Sequence, residues 1–235
     1  MRDSEPLAYA RSGAWPQLSG ARIWIYESVK RLCDLVLSSL AILISLPVLT
    51  IIAVATKLES KGPILFSQER VGKDGFKFRV LKFRSMHVDA ERFRAQMQAS
   101  VEQSGPVFKL LHDPRVTRVG RILRRTSLDE FPQFFNVLLG QMSLVGPRPL
   151  PVRDVADWGR LPDEVRPKLV AEWLSSRHAV RPGITGLWQV SGRSLLLLQD
   201  WIKYDLQYVQ TRSVCLDMKI LARTPFVVFS GRGAV

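Results

Sequence analysis

The decapeptide Arg124-Arg125-Thr126-Ser127-Leu128-Asp129-Glu130-Phe131-Pro132-Gln133 gathers the groups that phosphoryl chemistry needs. An ionised aspartate can attack phosphorus when the phosphate's own charge is screened, and Arg124 and Arg125 stand close along the chain to screen it. Adjacent carboxylates resist joint ionisation unless cations intervene, so a divalent cation held by Glu130 beside Asp129 is physically motivated. The spacing Ser127-x-x-Glu130 is that of a capping box, and Pro132 is tolerated in a first turn, so a helix start is predicted here. Free N–H groups and the dipole at such a start keep a carboxylate ionised and bind phosphate oxygens. The same pattern also has a purely structural reading, in which Asp129 and Glu130 complement the dipole at about 0.3–1 kcal/mol each. The decapeptide permits the chemistry without requiring it.

Other chemistries lack their residues. There is no Walker-type loop, no dinucleotide fingerprint, no His-Glu-x-x-His and no Asp-x-Asp metal motif. His87, His112 and His178 do not cluster, and no nucleophile elbow supports a serine triad. Cys33 and Cys215 lie far apart in no metal or redox spacing, so nothing points to an oxidising compartment.

The elements that must position the decapeptide begin with an oily segment, Leu35 to Thr56, which carries Pro47 in its middle. At about 1.5 Å per residue it makes roughly 33 Å of helix, enough to cross a hydrocarbon core. Lys30 and Arg31 precede it and Lys57 and Lys61 follow, which places both ends in the cytoplasm by the positive-inside rule. A re-entrant helix-break-helix satisfies that rule, with Pro47 as the break and Ser45 bonding a freed carbonyl. A kinked spanning anchor is the other reading; a cleaved signal peptide is a third, for which the segment is too long. The chain as a whole carries a formal net charge of +13. Such an excess implies an anionic partner, and without zinc-finger, helix-turn-helix or RNA-recognition signals the expectation is anionic lipid and phosphate, with no nucleic acid.

The fold class expected is α+β, mostly helical. A loose polar tail is placed at 1–22, the membrane hairpin at 23–60 and a compact cytosolic domain with interfacial amphipathic helices at 61–235. Ile64–Arg70 and Phe76–Arg84 read as a β-hairpin around Gly72-Lys73-Asp74-Gly75. Helices are expected over Asp89–Gln103, along the Arg115, Arg118, Arg121, Arg124 ridge, and over Phe131–Met142, Asp163–His178, Gln199–Tyr208 and Cys215–Arg223. A tight Gly146-Pro147-Arg148-Pro149 turn and a glycine-rich loop from Arg181 to Arg193 fall between them, and Gly183, Gly186 and Gly192 in that loop are expected to let backbone approach a ligand closely.

Several stretches together resemble the bacterial sugar transferases, the monotopic polyprenyl-phosphate phosphoglycosyltransferases. They are Lys30–Asp34, Gly62–Gly72, Lys82–Met86, Asp113–Thr117, Arg125–Glu130, Gln141–Pro149, Arg181–Arg193 and Tyr204-Asp205, in one order over roughly residues 30–225. The chain is similar to the short forms, such as exopolysaccharide-initiating galactose-phosphate transferases. It departs from the family's helix break, where serine directly precedes proline; here Leu46 separates Ser45 from Pro47.

The resemblance implies transfer of a sugar phosphate from a UDP-sugar to polyprenyl phosphate, with UMP released, at the cytoplasmic face of the bacterial inner membrane. Asp129 would be the nucleophile that forms a phosphosugar-enzyme intermediate, and Glu130 would bind Mg2+ or handle the acceptor's proton. Phosphate binding is assigned to Lys82, Arg84, Arg125, Arg148 and Arg181, contact with the nucleotide to Gln189 and Arg193, and a second metal ligand to Asp205. The oligomeric state is left open. The alternative is a membrane-anchored basic adaptor that binds acidic lipid or nucleic acid without catalysis.

Overall fold

The computed structural model describes residues 20–88, 90, 113–159, 168–193 and 196–230. The polar tail before Gly20 and nearly all of the helix expected over Asp89–Gln103 lie outside them. The described chain is mostly helical with a small sheet.

Helix α1 (Gly20–Glu59) runs 40 residues with Pro47 inside it. It is long and apolar enough to cross a membrane by length and composition. The expected break at Pro47 is not seen: the helix is continuous. Ser45 Oγ donates to Ala41 O at 2.6 Å and to Ile42 O at 3.3 Å. It therefore does not serve the Leu43 carbonyl, whose partner four residues on is the proline without an N–H. One lost bond does not end a helix whose other rungs are kept.

Both ends of α1 are tied to the rest of the protein, while its middle is bare. Near the start, Arg31 caps the end of the next but one helix through the carbonyls of Val137 and Leu138, at 2.6 and 2.9 Å. Asp34 accepts from Ser143 Oγ and Leu144 N, at 3.1 and 2.9 Å. Near the finish, Ile52 packs with Phe83 and Leu123, and Glu59 accepts from Val119 N at 3.1 Å. Between them Leu43, Ile44, Leu46 and Ile51 stay exposed.

Asp217 is a second tie: Tyr26 Oη and Lys30 Nζ reach its Oδ2 at 3.0 and 2.7 Å, and Tyr208 Oη reaches Oδ1 at 3.0 Å. The carboxylate is buried, with a half-buried ammonium and two hydroxyls depending on it. Asp217→Asn removes the charge that Lys30 needs, which is expected to cost about 3 kcal/mol. Thermal unfolding in detergent micelles checks this, and an unchanged Tm contradicts it.

Strands β1 (Leu65–Val71) and β2 (Lys77–Phe83) form the expected antiparallel hairpin, Leu65 opposite Phe83 and Val71 opposite Lys77. The turn takes Asp74 and Gly75 at positive φ, where a short polar residue and a glycine cost least. Phe78 and Val80 point into the main core, and Lys82 follows on the same face by the period of two. β2 is an edge strand of a three-stranded sheet with β1 at its centre, and its exposed backbone is covered by a side chain. Asn136 Nδ2 donates to Arg79 O at 2.8 Å, and its Oδ1 accepts from Leu81 N at 3.0 Å, so one amide stands in for a missing strand.

Helix α2 (Arg118–Thr126) carries the arginine ridge, and Thr117 caps it by accepting from Gly120 N. The ridge divides. Arg118, Arg121 and Arg125 are exposed, whereas Arg115 is buried in a bidentate pair with Asp113 and Arg124 turns inward. A one-turn 3-10 segment, Leu128–Glu130, then leads to α3 (Gln133–Leu138). The predicted capping box does not form: Ser127 sits in the left-handed region at φ 57° and makes no cap bond. The helix predicted to start at Ser127 starts at Gln133, because the 3-10 turn intervenes.

The remainder wraps the site from below. β3 (Ser143–Val145) is followed by the Gly146–Pro149 turn and β4 (Leu150–Pro151), then α4 (Val152–Gly159), α5 (Lys168–His178), β5 (Gly183–Thr185), α6 (Leu187–Ser191), α7 (Leu198–Thr211) and α8 (Val214–Phe229). β3 pairs with β5 in parallel, and β4 pairs with β1. α8 continues past Pro225, where the sequence predicts an end.

Candidate active site

A cavity of about 940 Å³ opens over the 3-10 turn. Three elements bring charge to it: the turn supplies Asp129 and Glu130, β2 supplies Lys82, and the Gly146–Pro149 turn supplies Arg148. Lys82 Nζ reaches Glu130 Oε1 at 2.6 Å. Arg148 grips the same carboxylate with both ends of its fork, Nη2 to Oε1 at 2.5 Å and Nη1 to Oε2 at 3.1 Å. Arg124 and Arg193 add two more cations to the wall. Arg124 Nε donates to Ser85 Oγ, and Arg193 Nη2 to Ser127 Oγ, each at 2.9 Å.

The two neighbouring carboxylates are treated oppositely. Burial pushes Glu130 up, but Arg148 and Lys82 outweigh it and hold its carboxyl well below the usual range. Asp129 is 7% exposed and takes no hydrogen bond from a described residue. Burial pushes it up to about 6; the charge of Glu130 adds to this, and Lys82, Arg124 and Arg148 pull the other way. One carboxylate is thus locked to cations, and the other is left uncommitted beside them. A dipole-complementing role does not describe either, since both lie in the single 3-10 turn and the α-helix begins only at Gln133.

Five side chains predicted for phosphate or nucleotide contact line the cavity or its rim, with different duties. Lys82 and Arg148 face its charged floor. Arg84 lines the wall, but its Nη2 is spent on Thr56 O at 3.2 Å and on Ser60 O at 2.7 Å, which fastens the end of α1. Gln189 Nε2 donates to Ile184 O at 2.8 Å, while its Oε1 has no partner among the described residues. Arg193 reaches Ser127 as described.

Three predicted residues lie elsewhere. Arg125 is exposed on the outer face of α2, because the helical turn that aims Arg124 inward carries its neighbour about 100° away. Arg181 bonds Gly140 O at 3.2 Å and Glu27 at 3.5 Å, on the α1 side. Asp205 is buried between α5 and α7, taking Trp173 Nε1 at 2.9 Å and Arg177 at 3.4 Å. It is not beside Glu130, and no group of three ligating side chains occurs among the described residues.

The glycines of the Arg181–Arg193 loop also differ from expectation. Gly183 and Gly186 admit backbone, not ligand: a Cβ at Gly183 would lie 2.1 Å from Gly146 N, and one at Gly186 would lie 2.4 Å from Gly146 O.

Residues 25–231 match the profile of a family described as bacterial sugar transferase. The chain belongs to that family. It is 43% identical over 210 residues to a UDP-glucose:undecaprenyl-phosphate glucose-1-phosphate transferase of Klebsiella pneumoniae, covering 87% of this chain and 41% of that protein. It is 39% identical to a UDP-N-acetylgalactosamine-undecaprenyl-phosphate N-acetylgalactosaminephosphotransferase of Aeromonas hydrophila, over 89% of this chain and 46% of the relative. With the exopolysaccharide production protein ExoY of Rhizobium meliloti (strain 1021) it shares 38% identity over 93% of both chains. This sugar transferase chain spans 36% and 41% of the lengths of the first curated relatives it matches.

What holds the sugar transferase site in place was missed from the sequence. Asn136, Arg70 and Arg177 all brace backbone around the carboxylates, and Arg70 Nη1 donates to Pro149 O at 2.9 Å. For Asn136 the sequence signal is a polar residue inside an apolar stretch, which names no partner; Arg70 and Arg177 stand among polar neighbours and give no signal at all.

Proposed function

We propose that this chain transfers a sugar 1-phosphate from a UDP-sugar to a polyprenyl phosphate, releasing UMP, with Asp129 carrying the sugar phosphate in between. The observation that carries the reading is an Asp129 carboxylate that takes no hydrogen bond from a described residue, set against a carboxylate already clamped by Lys82 and Arg148. The relatives' names supply the substrate class.

In the first step an Asp129 oxygen attacks the donor's β-phosphorus. The bond from that phosphorus to the bridging oxygen breaks, and the oxygen leaves with UMP. In the second step an oxygen of the lipid phosphate attacks the same phosphorus. The aspartyl oxygen leaves, which gives a lipid-diphosphate sugar and restores the enzyme. Lys82, Arg124, Arg148 and Arg193 lower the repulsion between carboxylate and diphosphate, and burial makes each of those charges count for more than it does in water.

Mg2+ is proposed as cofactor, supplying charge neutralisation at the diphosphate. The residues fit a substrate-assisted site, since Mg2+ is commonly held by one or two carboxylates together with substrate phosphates and waters. Glu130 would hold it through Oε2, which accepts a single bond. Asp205 would not.

For the membrane, both ends of α1 grip one domain, which supports a segment that enters and leaves by the cytoplasmic face of the inner membrane, within bounds of 23–60. Pro47 is where a bend costs least, and the cytosolic domain is 61–235. Exposed Arg118, Arg121 and Arg125 suit anionic headgroups at roughly 1 kcal/mol each.

The donor half-reaction tests this. Without acceptor, a panel of UDP-sugars is expected to give one UMP per enzyme and a sugar-phosphate mass adduct on the Asp129 peptide. The rate of that burst is expected to rise with pH, to be half-maximal near the 6 to which Asp129 is raised and to level off above it, because only the ionised form attacks. No adduct, or a burst that falls as pH rises from 5 to 7, contradicts the proposal.

A further inference from the structure

Arg177 lies at the end of α5, is 3% exposed, and touches neither Asp129 nor Glu130. Its guanidinium packs over Trp173 at 4.5 Å and near Trp201 at 5.8 Å, and it pairs with Asp205 at 3.4 Å. Asp205 is in turn fixed by Trp173 Nε1. From this socket Arg177 Nη2 donates to the backbone carbonyl of Arg148. Arg148 is the residue whose side chain grips Glu130.

As a stability device the arrangement is poor. Arg177 and Asp205 are both almost wholly buried, and burying two charges costs more than a well-packed apolar pair of the same volume usually would. Arg177 Nη1 has no hydrogen-bond partner among the described residues, a further cost. What the pair does achieve is aim. A guanidinium packed over one indole, close to a second and paired with a carboxylate has few orientations left, so the carbonyl it holds has few as well.

The turn around Arg148 is held at each neighbouring carbonyl by a different element: Gly183 N takes Pro147 O at 2.9 Å, Arg177 takes Arg148 O, and Arg70 takes Pro149 O. The Arg177 contact lies at the residue whose side chain must point at Glu130.

Resting on the reading of the site proposed above, we propose that Arg177, oriented by Asp205, is a positioning residue for the transferase: it fixes the backbone of Arg148 so that the Arg148 fork meets Glu130. Asp205 therefore acts on the site from a distance, through two arginines.

The test is a cycle on the full chain in detergent micelles. The charge-neutral pair Arg177→Gln/Asp205→Asn is expected to slow UMP release about 10- to 100-fold, the range for a misplaced site group. In an Arg148→Met background the same pair is expected to add less than about 3-fold, because the path runs through Arg148. An equal loss in both backgrounds overturns the proposal, since a general weakening of the fold acts whether or not Arg148 is present. Arg177→Lys, which keeps the charge and one donor, is expected to recover part of the rate. It replaces the charge-neutral pair in the cycle if that variant does not fold.

Amide hydrogen exchange separates this proposal from the transferase reading. Exchange in the peptide containing residues 146–149 is expected to quicken in either variant. Unchanged exchange there rejects the role of Arg177 even if wild-type releases UMP, and quickened exchange upholds it even if no UDP-sugar is turned over.

Discussion

Asp129→Asn is expected to lose at least about 10³-fold of transfer activity while raising the melting temperature. An amide is close in shape to the carboxylate but a far weaker nucleophile, and losses of this order follow removal of a group on which the chemistry depends. The rise in stability follows from the neighbourhood. No described residue donates a hydrogen bond to this carboxylate, so its removal strands no partner. Its pKa is raised from about 4 to about 6 by burial and by Glu130, so the folded state disfavours its charge. The sign follows: above pH 6 the charged form costs stability, and below about 4 the cost is gone because both states are protonated. At about 1.4 kcal/mol per unit the Asn variant gains up to about 3 kcal/mol at pH 7.5, and that gain shrinks towards pH 4.5. A fall in Tm at pH 7.5 means the carboxylate makes a contact that matters for folding. Retained turnover removes Asp129 from the reaction.

That coupling of lost activity with gained stability distinguishes Asp129 from the charges around it. Lys82 and Arg148 share the Glu130 carboxylate: removing Glu130 leaves two cations without it, and removing either cation leaves Glu130 with a single partner, so losses there mix chemistry with folding. A carboxylate held against its own preference, beside one fully satisfied, is strain placed where reactivity is wanted.

The sequence made the hairpin legible because Phe78, Lys77, Val80 and Arg79 alternate about a turn that only Asp and Gly tolerate. The period of two needs no tertiary information. The reactive pair was legible as a candidate, while its surroundings were not. Ser127-x-x-Glu130 matches a capping box in spacing, and nothing local says that Glu130 is claimed instead by Lys82, 48 positions earlier in the chain. Arg124 and Arg125 are equivalent in one dimension; helical phase alone turns one inward. Strands β3 and β5 were unreadable, since three residues buried on both faces show no alternation. Arg177 and Arg70 act on carbonyls, and a carbonyl leaves no trace in a side-chain pattern.

The glycine-rich loop is where the sequence-based expectation and the structure differ in a way one substitution resolves. If glycine at 183 admits a ligand, Gly183→Ala weakens donor binding in a folded protein. The geometry argues for collapse instead. The new Cβ would meet Gly146 N at 2.1 Å and Gly146 Cα at 2.7 Å, both backbone atoms with no rotamer to escape into. Those atoms belong to the parallel pair β3–β5, fixed by Ser143 N to Pro182 O at 2.8 Å and Gly146 N to Thr185 O at 2.9 Å. Separating the strands also moves the turn that carries Arg148. The expected cost exceeds about 3 kcal/mol, above the usual range for an overpacked site whose neighbours can shift. Gly192→Ala is the control within the same loop: its Cβ meets the tip of the half-buried Leu196 side chain at 2.9 Å, which has rotamers that backbone atoms lack. Gly183→Ala should therefore give little folded protein and Gly192→Ala nearly normal amounts, measured by size-exclusion yield in detergent micelles and by Tm. A Gly183→Ala protein with wild-type Tm and weakened UDP-sugar binding would return the loop to the ligand.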